Sequence, residues 1–82
     1  MTREQCRAAR ALLGWGIEEL AQRTDLSRNT ISRFETGEGK PHRSTIKAIR
    51  TAFEQAGLEI LANNDPSKGK GPGIRFLKER PH

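Results

Sequence analysis

The sequence predicts a mostly α fold of four helices, followed by a short C-terminal β-hairpin or strand pair. Three observations carry this. Four segments place apolar residues at helical spacing, each between a start signal and a glycine or turn. After Gly57 the apolar period drops from the helical value to the alternation of a strand. The composition, 33% hydrophobic and 5% aromatic over 82 residues, supports one small core.

The first segment, TREQCRAARALLGWG, opens with Thr2 as a cap and Gln5 placed three residues later to return the bond, the pattern of a capping box. Cys6, Ala9, Leu12 and Leu13 then share one helical face, and Gly14 and Gly16 around Trp15 mark a break. In the second segment, IEELAQRT, Ile17, Leu20 and Ala21 stand at i, i+3 and i+4, with Glu18 and Glu19 at the positive end of the helix dipole. Thr24, Asp25 and Leu26 form a short connection. Ser27 caps a third helix over residues 28–36, with Ile31 and Phe34 as its apolar stripe, and Gly37 stops it as a left-handed residue does.

GEGKPH, with two Gly and one Pro, is a loop. The fourth helix, RSTIKAIRTAFEQAG, carries Ile46, Ile49 and Phe53 with Ala52 and Ala56 beside them, and Gly57 is its expected stop. LEILA then alternates Leu58, Ile60 and Ala62 with Glu59 and Leu61. IRFLKE alternates Ile74 and Phe76 with Arg75 and Leu77, and the turn-rich NNDPSKGKGPG lies between. The closing ERPH is expected to fray. Residues 1–57 therefore read as a helical domain and 58–82 as a strand-forming extension.

Net charge of +5 and a pI near 10.2 favour a polyanionic partner, either nucleic acid or an anionic membrane surface. No apolar run approaches the roughly 20 residues of a membrane span. No basic-then-apolar leader opens the chain, so no secretory signal is expected. The lone Cys6 reads as a small core residue and Trp15 as a packing residue, and a single cysteine suits the cytoplasm, the expected compartment. His42 and His82 have no Cys or carboxylate at metal spacing, so neither a metal nor another cofactor is expected. GKGPG lacks the spacing of a phosphate loop, and Lys68 and Lys70 read as part of a flexible basic turn. Nothing places a nucleophile beside a base, so no enzymatic activity is expected.

The constellation that bears on function is the second helix, the connection and the third helix, which have the lengths of a helix-turn-helix. A helix fits the major groove of B-DNA, and its N-terminal residues then reach base edges. Ile31 and Phe34 hold the third helix to the body. Ser27, Arg28, Asn29, Thr30, Ser32 and Arg33 lie on or beside its other face, and all have hydrogens to donate to bases or phosphates. Arginine suits guanine, asparagine suits adenine, and hydroxyls suit phosphates. Lys40, Arg43 and Ser44, with His42 between them, stand beside the recognition helix as phosphate-contact candidates.

RAARALLGWGIEELAQRTDLSRNTISRFETG resembles the phage repressor and Cro type helix-turn-helix family, also called the XRE family, and the similarity spans about residues 3–57. The resemblance implies a repressor-like fold of four to five helices, with the third helix in the major groove and two chains arranged as a two-fold dimer. It implies a regulator that represses transcription, often of its own operon. Arg28, Asn29, Thr30 and Arg33 fall where the family contacts bases and phosphates. Arg10 and Glu35 fall where the family ties its first helix to the end of its third, and Ala21 where helices two and three cross closely. One departure stands out: the family often begins its second helix with Gln after a capping Ser or Thr, and here those positions are Ile17 and Gly16. The ending, LEIL then GPGIRFL, is similar to that of short single-domain bacterial and phage regulators.

The expected partners are thus double-stranded DNA and a second copy of the chain. For the dimer contact, the expectation is a sheet shared between subunits through Leu58, Ile60, Leu61, Ile74, Phe76 and Leu77, because exposed strand edges invite pairing. The plainer alternative folds the hairpin onto its own body. A different functional reading makes the chain an antitoxin-like interaction module whose tail strands complete another protein's sheet.

Overall fold

A computed structural model describes residues 1–61 and 74–76, Arg75 and Phe76 through their backbone alone. It contains helices α1 (Arg3–Leu13), α2 (Ile17–Thr24), α3 (Arg28–Thr36) and α4 (Arg43–Gln55), then strands β1 (Leu58–Ile60) and β2 (Ile74–Phe76). The fold is the mostly α arrangement that the periodicity predicts, and it is consistent with the repressor-like fold that the resemblance implies. NNDPSKGKGPG, Leu77 and the closing ERPH lie outside the described residues.

Each helix begins and ends for a local reason. Thr2 and Gln5 form the capping box that opens α1: the Gln5 N–H donates to Thr2 Oγ1 at 3.0 Å, and the Thr2 N–H donates to Gln5 Oε1 at 2.8 Å. α2 starts at Gly16, which has no side chain to cap with. It ends at Asp25, a non-glycine residue with φ 60, a conformation that Asp tolerates better than most residues. Ser27 caps α3 by accepting the Thr30 N–H at 3.0 Å. At the other end Gly37 has φ 82, where a side chain would be strained, and this lets the Glu38 N–H close on the Arg33 carbonyl at 3.0 Å. α4 stops at Gln55, two residues before Gly57, whose φ of 96 turns the chain into β1.

The apolar faces meet in one core. Cys6 and Ala9 come from α1, Leu20 from α2, Ile31 and Phe34 from α3, Ile49, Ala52 and Phe53 from α4, and Leu58 and Ile60 from β1. Trp15 stacks on Phe53 with ring centroids 5.8 Å apart and an interplanar angle of 26°, closing one end of this core. The Arg23 guanidinium covers the Trp15 ring from 4.2 Å, so the indole is sandwiched rather than offered to a ligand.

β1 and β2 pair antiparallel within the chain, Leu58 opposite Phe76 and Ile60 opposite Ile74. A two-stranded ribbon is marginal alone, and side chains from two helices tie this one down. Gln5 Nε2 donates to the Leu61 carbonyl at 2.6 Å, and Arg50 Nη2 donates to the Ile60 carbonyl at 3.2 Å. Leu58 and Ile60, two of the residues expected at a subunit contact, are buried in this chain's own core. The reason is the pleat: residues i and i+2 share a face, and that face of β1 looks onto α4. Residues 1–57 and the start of the extension thus share one core.

Candidate nucleic-acid interface

The two sides of α3 differ in what they bury. Ile31, Phe34 and Glu35 are buried. Ser27, Arg28, Asn29 and Arg33 are exposed, and Thr30 and Ser32 are half-buried. A helix whose apolar residues all turn inward leaves its hydrogen-bonding residues on the outside, and the three-residue turn from Asp25 to Ser27 sets α2 across it. The Leu26 N–H closes that turn on the Ala21 carbonyl at 3.2 Å. Ala21 is half-buried against the core, where a larger side chain would push α2 outward.

The exposed side chains do not all have free hands. Ser27 is engaged as the cap of α3, and its hydroxyl also lies 2.8 Å from that of Thr30. Both hydroxyls hold the helix start in shape. Arg33 stands at the 4.0 Å limit of an ion pair with Glu38, a solvent-exposed contact of little strength. Arg28 is different: its Nη1 donates to Glu18 Oε1 at 2.6 Å, bridging the first turns of α2 and α3. Among the described residues Asn29 makes no side-chain hydrogen bond, so its amide is open to a base edge.

Lys40, Arg43 and Ser44 are exposed around the start of α4, whose cap position, His42, supplies no side-chain bond. The His42 side chain therefore leaves the first backbone N–H groups of α4 uncapped. Asn29, Arg33, Lys40 and His42 line one groove of about 270 Å³, so the recognition helix and the start of α4 form a continuous surface. Of the six residues expected at a subunit contact, Leu58 and Ile60 are buried and Leu61 and Ile74 are half-buried. Phe76 is placed by its backbone, and Leu77 lies outside the described residues.

Behind this surface Arg10 and Glu35 meet in a two-toothed pair. Arg10 Nε donates to Glu35 Oε2 and Nη2 to Oε1, both at 2.7 Å, while Nη1 reaches the Trp15 carbonyl at 3.1 Å. The side chains are 19% and 5% exposed, so the pair is largely shielded from water. Burial works against ionising Glu35, but the hydrogen bonds from Arg10 and Cys6 outweigh it and hold the carboxyl below its ordinary value. Arg10 is held above its own ordinary value by the same bonds, against the opposing effect of burial. Cys6 Sγ donates to Glu35 Oε2 at 3.2 Å. Burial, reinforced by that carboxylate, pushes the thiol far above the range in which a cysteine is a nucleophile.

Sequence reading missed two roles. Gln5 is recognisable as half of a capping box, yet its amide also spans to Leu61. Glu18 reads as a helix-dipole residue, and no spacing rule links it to an arginine ten residues on. The signal would have been the helix-turn-helix itself, which sets the starts of α2 and α3 side by side.

A helix held by its apolar side across a short turn, with its polar side outward among exposed cations, defines a DNA-binding helix-turn-helix protein. Comparison with protein families agrees: the helix-turn-helix family model matches residues 7–59, and the chain belongs to this family, of the XRE type. It is a DNA-binding transcription regulator, in a family that is regulatory and typically non-enzymatic. No curated protein matches the chain. Among the described residues no helix is long and apolar enough to cross a membrane.

Proposed function

We propose that the chain is a dimeric, cytoplasmic repressor acting at an inverted-repeat operator, with α3 reading bases in the major groove. The observation that carries this is the sidedness of α3, with Ile31 and Phe34 buried and Arg28, Asn29 and Arg33 exposed on the other side. Asn29, in the first turn and open, reads adenine, and Arg28 reads guanine. Arg33, one turn on, grips the backbone or a further base. Lys40, Arg43 and Ser44 hold phosphates beside it, and the backbone amides at the start of α2 take the place of the glutamine contact that Ile17 does not provide.

Two such helices would enter successive major grooves about 34 Å apart. Dimerisation would run through the ribbon, using the residues its own core leaves half-buried, Leu61 and Ile74, together with the rest of the extension. The antitoxin-like reading loses support from the burial of Leu58 and Ile60, because the most apolar face of β1 is already taken.

Selection of duplex DNA from a random pool tests the proposal. The expected result is two enriched half-sites centred about ten base pairs apart and related by a dyad. Enrichment of a lone half-site removes the dimer, and no enrichment at low salt removes the base-reading assignment.

A further inference from the structure

We propose that Glu18 is a specificity-determining residue that acts by positioning Arg28. This rests on the base-reading role of α3. Glu18 and Arg28 are 73% and 68% exposed, yet their contact of 2.6 Å crosses from one helix to the other. Together with Ile17, Ser27, Asn29 and Ser32 they line an open groove between the starts of α2 and α3. The carboxylate therefore stands on the surface that meets DNA, where an unpaired negative charge beside phosphates is unfavourable.

The geometry assigns it two effects. Arginine has two edges that can donate a pair of hydrogen bonds, Nη1 with Nη2 and Nη2 with Nε. Glu18 engages Nη1, and among the described residues Nε and Nη2 have no partner, so the Nη2–Nε edge keeps both its donors for the two acceptors of guanine. The guanidinium is thereby aimed before DNA arrives, which lowers the ordering cost on binding. In the same contact Glu18 neutralises Arg28 toward phosphates. A correct base engages the free edge while the ion pair persists. On a wrong site, turning Arg28 to a phosphate strands the carboxylate beside the backbone. Attraction to random DNA is weakened more than attraction to the operator.

The test uses the full chain, the operator obtained by selection and a scrambled duplex, with Glu18→Ala, Glu18→Gln, Arg28→Ala and the double variant Glu18→Ala with Arg28→Ala. For Glu18→Ala the expected result is about threefold or more tighter binding to scrambled DNA and a salt slope steeper by about one. Its preference for guanine at the base Arg28 reads should fall by about fivefold or more. Glu18→Gln keeps an acceptor and loses the charge, so it should retain most of the base preference while binding scrambled DNA as the alanine variant does. In the Arg28→Ala background, Glu18→Ala should leave base preference unchanged. Base preference within twofold of the parent in Glu18→Ala overturns the positioning role, whatever happens to scrambled DNA. A loss of base preference that persists without Arg28 overturns it as well. If the parent chain itself selects no DNA sequence, the base-reading role of α3 fails and this inference with it. A selective parent with an equally selective Glu18→Ala variant removes this inference alone.

Discussion

Arg28 and Asn29 stand next to each other at the start of α3 but in different states. One is already engaged by Glu18, and the other, among the described residues, makes no side-chain hydrogen bond. Replacing either with alanine should cost about 1–3 kcal/mol of operator binding and relax selection at one base pair, read by competition against singly substituted operators. Arg43→Ala should weaken operator and scrambled DNA by the same factor, because a phosphate contact carries no base information. Glu35 supports a pH prediction. Its carboxyl is held below the ordinary value of 4.5, so between the two values the folded chain binds fewer protons than the unfolded one. The stability it contributes is complete above the ordinary value and drains away as pH falls through the folded value. Glu35→Gln leaves Arg10 without its charge partner and should lose about 2–4 kcal/mol at neutral pH. In urea titrations the gap to the parent should narrow as pH is lowered below the ordinary carboxylate range. The types of these residues are legible in the sequence. Their engagements are not, since Glu18 with Arg28 and Arg10 with Glu35 are joined only by the packing of separate helices.

The helices themselves follow closely from local signals. Thr2 with Gln5 at the start of α1 and Ser27 with Gly37 around α3 each satisfy backbone groups that a helix end leaves open. Such bonds involve neighbours in the chain and can be read without a fold. Ser27→Ala should therefore destabilise the domain by about 1 kcal/mol through loss of the cap, seen as a lower urea midpoint. It should also weaken operator binding, because Ser27 and Thr30 jointly shape the first turn that carries Arg28 and Asn29. Two ends are less legible. α2 begins at Gly16 with no side-chain cap, and α4 stops before its glycine. There the helix bounds are set by packing, around Trp15 at one end and by the entry into β1 at the other.

For the molecule as a whole, the basic surface and the shared core each make a prediction. If each subunit neutralises several phosphates, operator affinity should fall between about tenfold and a thousandfold from 50 to 200 mM salt. Titrations at four salt concentrations give the slope directly, and a flat response would remove the phosphate contacts. The core extends past residue 57, because Leu58 is fully buried among the helices. Leu58→Ala should cost about 2–5 kcal/mol of stability, measured by thermal or urea unfolding. Removal of residues 58–82 should thus unfold the helical body as well as disturb any dimer. Leu61→Lys, at a half-buried position, is the gentler probe of assembly: sedimentation should show monomers with intact helices.

The existence of the four helices, the caps of α1 and α3 and the polar face of α3 depend on neighbours a few residues apart, and the amino-acid order is enough to dictate them. So is the alternation that makes β1 and β2. The three-dimensional packing lays one face of β1, with Leu58 and Ile60, against the chain's own helices, which alternation alone does not specify. It also put Glu18 against Arg28 and locked Arg10 onto Glu35. The physical reason is range. Hydrogen bonds at helix ends and side-chain periodicity act over one or two turns, whereas ion pairs between helices and the burial of a strand depend on which surfaces the folded chain brings within a few ångströms.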